Sequence, residues 1–168
     1  MKKIFSPWRS AYIKTFSEKK KKKQCLFCSI MKNKKNDRKN LIVWRGQYCF
    51  VVMNRFPYNS GHVMVVPYRH TALMEDFDDN EQLECMKVIQ QCITALKAES
   101  HPEGFNVGAN IGRVAGAGID QHIHFHVVPR WNGDANFMPV LSDVKIVSES
   151  IEATRTGLAN QFKRIFQQ

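Results

Sequence analysis

The chain has 168 residues, 43% of them hydrophobic, enough for one core of ordinary size, and it contains no apolar run of about 18 residues that would span a membrane. Its net charge of +10 suggests a nucleic-acid partner until the charge is located: residues 1–40 carry 14 Lys or Arg against 2 Asp or Glu, and residues 41–168 carry 11 against 13. The basicity belongs to an N-terminal segment, so a strongly basic folded body is excluded.

That segment, residues 1–40, starts Met1-Lys2-Lys3-Ile4-Phe5-Ser6-Pro7-Trp8-Arg9, without an apolar signal core, and holds the run Lys19–Lys23. No aromatic residues interleave those lysines to stack on bases, so a solvated segment is preferred to nucleic-acid contact. Cys25 and Cys28 have a C-x-x-C spacing that serves redox pairs, zinc knuckles and chance alike. Cys49, Cys85 and Cys92 fall in apolar patterns and read as buried hydrophobes. Five cysteines do not form a secreted disulfide framework, and a soluble cytoplasmic protein is expected.

A core is expected over 41–141. Leu41–Trp44 and Tyr48–Met53 are rich in β-branched and aromatic residues, and Arg45-Gly46-Gln47 between them predicts a hairpin. His62–Val66 is a third strand, stopped by Pro67. From Asp78 the period becomes helical: Asp78 is a cap with Glu81 three residues on, and Leu83, Met86, Ile89, Ile93 and Leu96 recur until His101-Pro102. Phe105–Asn110 follows as a strand, then a glycine-rich loop from Gly112 to Gly118, then a strand over Ile119–Val128 ending at Pro129. Spacings of three and four from Val144 through Leu158 and Phe162 predict a closing helix within 142–168, mildly interrupted by Gly157. The order is mixed α+β, in a single domain overall.

The chemistry concentrates in Gln121-His122-Ile123-His124-Phe125-His126-Val127-Val128-Pro129-Arg130. Histidines two residues apart on a strand share one face. Three crowded imidazoles resist carrying three protons, so at neutral pH some are neutral nucleophiles or ligands while others donate to an anion. A solvated face and a single three-histidine metal site are the competing readings.

This stretch resembles the histidine triad (HIT) motif, in which three histidines alternate with apolar residues. Met53-Asn54-Arg55 with Pro57, Gly61-His62-Val63 and Val66-Pro67 is similar to the family's nucleoside-binding strand and turn, and Gly104–Gly108 through Ala115-Gly116 to its phosphate-side loop. Pro7-Trp8-Arg9 with Tyr12, Phe56–Asn59 and Val128–Phe137 resemble the bacterial branch that includes diadenosine tetraphosphate phosphorylases.

The resemblance implies an antiparallel sheet of about five strands with a long helix, a homodimer and in some cases a tetramer. It implies His124 as nucleophile, with its other ring nitrogen held by the His122 carbonyl. His126 and His62 bind phosphate oxygens, and His122 completes the triad. Asn54 binds ribose hydroxyls. Asn110 stands where some hydrolases have Gln, and Arg113 with the backbone of Gly116 and Gly118 faces the polyphosphate. Zinc-containing members imply a structural zinc on Cys25, Cys28, His70 and His122, with no organic cofactor. The expected activity is nucleotidyl transfer from a dinucleoside polyphosphate through a nucleotidyl-histidine, to phosphate or to water, with phosphorolysis ahead on the narrower resemblance. The alternatives are nucleoside phosphoramidate hydrolysis and a non-catalytic nucleotide-sensing or RNA-associated protein. Trp8 is a candidate to stack on adenine or to pack against a neighbouring subunit, and Trp44 reads as a residue of core or dimer packing.

Overall fold

A computed structural model describes residues 24–134 and 150–167; Trp8, the lysine run, Phe137 and the positions Val144 and Val147 lie outside them. A five-stranded antiparallel sheet runs in the order β1-β2-β3-β5-β4, with β1 Ile42–Arg45, β2 Cys49–Met53, β3 Val63–Pro67, β4 Gly104–Ala109 and β5 Phe125–Arg130. Helix α1 is Leu26–Lys32, α2 Asp79–Ser100 and α3 Ile151–Phe166. The fold is α+β, and no helix among the described residues is long and apolar enough to cross a membrane.

The β1–β2 hairpin closes at Gly46, whose N–H donates to the Cys49 carbonyl at 2.8 Å. A side chain at Gly46 would collide with the Trp44 ring, so the turn demands glycine. Trp44 in turn stacks on Phe166 at 4.5 Å between centroids, confirming it as a packing residue. Strands β2 and β3 are buried throughout. Helices α2 and α3 pack on each other, α2 against β2, β3 and β5, and α3 against β1. Cys49, Cys85 and Cys92 are buried between these layers, as their apolar surroundings predict.

Helix α2 begins on a full capping box. The Asp78 carboxylate accepts from the Asn80 and Glu81 N–H groups at 2.9 Å, and Glu81 accepts from the Asp78 N–H at 3.1 Å. It ends at His101 in the left-handed conformation, φ 50°. Gly157 does not interrupt α3. It lies where a Cβ would meet the Glu99 carboxylate of α2, so the small residue permits close approach of the two helices.

Two strand boundaries differ from expectation. Pro67 and Pro129 are inside β3 and β5, not beyond them. Pro129 is tolerated because β3 pairs with β5 only over Phe125–Val127, which leaves one side of β5 open at the proline. Conversely, residues 119–124 are not strand. The Ile123 N–H donates to the Thr71 carbonyl at 2.7 Å instead of entering the ladder, and only His126 of the three histidines sits in β5.

Candidate active site

The three histidines therefore do not form one row. His122 is fully buried, and its Nε2–H donates to the Pro67 carbonyl at 3.0 Å, which leaves Nδ1 as a lone pair facing Cys25 Sγ (3.4 Å), Cys28 Sγ (3.7 Å) and His70 Nδ1 (3.2 Å). The ring belongs to a second cluster; only its carbonyl reaches the site.

That carbonyl accepts from His124 Nδ1–H at 2.9 Å. The bond fixes the tautomer, so Nε2 of His124 carries the lone pair. Burial pushes the His124 imidazole below its ordinary range, and the bond to the carbonyl partly opposes this. Phe27, in the middle of the C-x-x-C, is 1% exposed and packs against both imidazoles, at 5.3 Å from His122 and 5.0 Å from His124.

His126 is oriented by a relay that starts in the backbone. The Tyr58 N–H donates to His62 Nδ1 at 3.0 Å, so His62 carries its proton on Nε2 and donates it to His126 Nδ1 at 2.9 Å. His126 is thereby left with a proton on Nε2, and that nitrogen is buried without a partner among the described residues. A buried orphan donor beside the His124 ring, 4.8 Å between centroids, is ready-made for an anionic oxygen. Burial, and then the charge of His124, hold His126 down to about 4, which keeps it neutral.

Sequence reasoning gave Tyr58, Asn59 and Asp134 no role, yet they hold the relay. Asn59 Nδ2 donates both to the Pro129 carbonyl at 3.0 Å and to the Asp134 carboxylate at 2.7 Å, pinning the turn before His62 to the end of β5. Asp134 is itself gripped by Arg130 at 2.7 and 2.8 Å, and the guanidinium holds its carboxyl well below the usual range. The signal was present in the buried Asn of a turn cluster, but its partner lies 75 positions away.

Asn54 follows β2, and its Oδ1 accepts from the Phe56 N–H at 2.9 Å, so the side chain turns the chain as well as leaving an amide for a ligand. The register Gly108↔His126 and Ala109↔Phe125 brings Asn110 and His124 off the ladder as the next residues of their strands. The side chains of Asn110 and Arg113 take part in no hydrogen bond or ion pair among the described residues, and the loop turns on Gly112 and Gly116 at φ 81° and 90°, the Gly116 N–H donating to the Arg113 carbonyl at 3.1 Å. Gly116 is exposed and Gly118 half-buried.

The ligand atoms of Cys25, Cys28, His70 and His122 lie within 4.8 Å of one another. Cys28 Sγ and His70 Nδ1 are 3.2 Å apart. A tetrahedron with metal–sulfur bonds of about 2.3 Å and metal–nitrogen bonds of about 2.0–2.1 Å has edges of about 3.3–3.8 Å; the donor separations of 3.2, 3.4 and 3.7 Å come close to these, and two thiols with two imidazoles are the donor types of a closed tetrahedral site. The His122 Nε2–H bond to Pro67 supplies the outer support such a ligand needs.

A family model for the HIT domain matches residues 35–133. The chain is 44% identical over 129 residues to an AP-4-A phosphorylase of Mycobacterium tuberculosis, covering 77% of this chain and 66% of that protein, just under two thirds of the relative's length. It is 26% identical over 139 residues to an adenosine 5'-monophosphoramidase of Schizosaccharomyces pombe, covering 83% and 98%. A Zn-bound histidine triad family protein from Mycobacterium smegmatis superposes with a TM-score of 0.68 at 26% identity, covering 86% of this chain and 96% of that one. With the sheet order, the His124–His122 carbonyl bond and the matched domain in agreement, the chain belongs to the HIT domain family.

Proposed function

We propose that this chain is a nucleotidyl-transferring enzyme acting on dinucleoside polyphosphates such as diadenosine tetraphosphate, with His124 as nucleophile. The observation that carries the reading is the pair of fixed tautomers on adjacent rings 4.8 Å apart: a lone pair on His124 Nε2 and a proton on His126 Nε2. The first is a nucleophile for phosphorus and the second a donor for the oxygens that gain charge.

In the first step His124 Nε2 attacks the α-phosphorus. An N–P bond forms, and the bond to the bridging oxygen breaks with its electron pair, releasing ATP from diadenosine tetraphosphate. In the second, an oxygen of inorganic phosphate or of water attacks the same phosphorus and the N–P bond breaks, giving ADP or AMP. Asn54 binds the ribose hydroxyls, while Asn110, Arg113 and the Gly116–Gly118 backbone hold the polyphosphate. Phosphorolysis is favoured by the 44% identity to an AP-4-A phosphorylase; the phosphoramidase relative supports nucleoside phosphoramidate hydrolysis as the second reading.

Zinc on Cys25, Cys28, His70 and His122 is the fitting metal, given two thiols and two imidazoles in a closed set. Bound there it supplies a structural clamp, holding the His122 ring and so the carbonyl that orients His124. The working assembly is a homodimer: Leu83 and Met86 on α2 are 54% and 57% exposed, and β4 is an open sheet edge carrying Val107 at 46%.

The test is incubation with diadenosine tetraphosphate with and without inorganic phosphate, the products separated by chromatography. ADP plus ATP formed only with phosphate is the expected result. AMP plus ATP in either condition means hydrolysis, and tight binding without turnover overturns the enzymatic reading.

A further inference from the structure

A cavity of about 630 Å³ lies apart from the histidines and cysteines. Its walls include Lys35, Arg38 and Lys39 from the turn after α1, Arg55 just beyond β2, and Ile151 and Glu152 from the first turn of α3. Four cations thus meet one carboxylate. Among the described residues none of the four forms an ion pair, and the nearest acid in sequence, Asp37, is committed to Arg45 through bonds of 2.8 and 2.9 Å. Arg55 reaches the Lys39 carbonyl at 3.5 Å, which ties two of the walls together.

The surroundings reinforce the positive field. Ile151 and Glu152 stand at the positive end of a 16-residue helix, where Ser150 caps only the Ala153 N–H. Arg155, one turn on, is pushed below its ordinary range by burial, with the charge of Asp37 opposing this and that of Arg38 adding to it. No aromatic residue lines the cavity, so it offers charge and forked guanidinium donors but no surface on which a base would stack. Its volume falls within the about 300–1,000 Å³ of small-ligand clefts.

We propose that this cavity is a second anion site that takes a short chain of phosphate groups, independently of the chemistry assigned to the histidines. Inorganic polyphosphate and the tail of a nucleoside polyphosphate share the recognised chemistry. The test is calorimetric titration of the full chain with tripolyphosphate and, separately, with ATP, using the wild type, a Lys35→Gln/Arg38→Gln/Lys39→Gln variant and Glu152→Gln. The triple variant is expected to lose about tenfold or more in tripolyphosphate affinity with a shallower salt dependence, and Glu152→Gln to gain about twofold, because a counter-charge is removed. Thermal midpoints and turnover of diadenosine tetraphosphate stay at wild-type values in the triple variant. A loss with both probes supports a free phosphate chain; a loss with ATP alone supports a nucleotide-borne one. Affinities unchanged for both probes overturn the proposal, and with turnover intact they leave the reading of the triad standing.

Discussion

His124 owes its tautomer to one hydrogen bond and its walls to Phe27, so its role and its mounting can be separated by substitution. His124→Ala should abolish turnover while nucleotide affinity stays within about tenfold, since a nucleophile contributes mainly in the transition state; unchanged turnover would contradict the assignment. His126 gives a pH signature. Above about pH 6.5 it is neutral in both folded and unfolded chains. As pH falls from there, the unfolded chain takes up a proton that the folded one refuses until about 4, so stability declines through this window. Urea midpoints at pH 7.5 and 5.0 should fall less in His126→Gln than in the wild type; equal falls would show that His126 does not titrate as its burial implies. The sequence showed these residues plainly through their two-residue spacing. It did not show that His122 leaves the strand, because the partners that draw it away, Cys25, Cys28 and His70, are 52 to 97 positions distant.

At the scale of elements, helix α2 was legible to within a residue because capping chemistry is local: Asp78, Glu81 and His101 all act within one turn. The same capping box also reaches the cluster of Cys25, Cys28, His70 and His122. Glu81, 6% exposed, accepts from the Arg69 Nε at 2.8 and 2.9 Å, and Arg69 precedes His70. Asp78→Ala should cost about 1 kcal/mol of stability, read from chemical denaturation, by loss of the cap alone. Glu81→Ala should cost more, since it exposes the Asp78 N–H and frees Arg69 together; a smaller loss than for Asp78→Ala would disprove this coupling. The last strand was misjudged at both ends for a single reason. Its start is set by bonds to the segment Pro67–Thr71 and its end by an open flank at Pro129, neither of which leaves a local pattern in the sequence.

For the whole molecule, the four-donor cluster joins the N-terminal helix α1, the segment after β3 and the approach to β5. Protein purified without added zinc should carry about one ion per chain, and a Cys25→Ser/Cys28→Ser variant should lose it with a lower thermal midpoint. Full retention in that variant would place the ligands elsewhere. Leu83→Glu/Met86→Glu should shift the sedimenting species from dimer to monomer; a dimer that persists would put the interface on another face. The HIT resemblance supplied the assembly and the cofactor as expectations, whereas the cavity beside α3 was invisible in the sequence because Glu152 and Ile151 meet residues 35–55 only in the fold. Turnover by this route requires a covalent bond on the His124 ring. Rapid acid-free quenching of the enzyme with diadenosine tetraphosphate, followed by peptide mass spectrometry, should find the mass of one adenylyl group on the peptide at His124; an adduct on another residue, or turnover with none, would contradict the account.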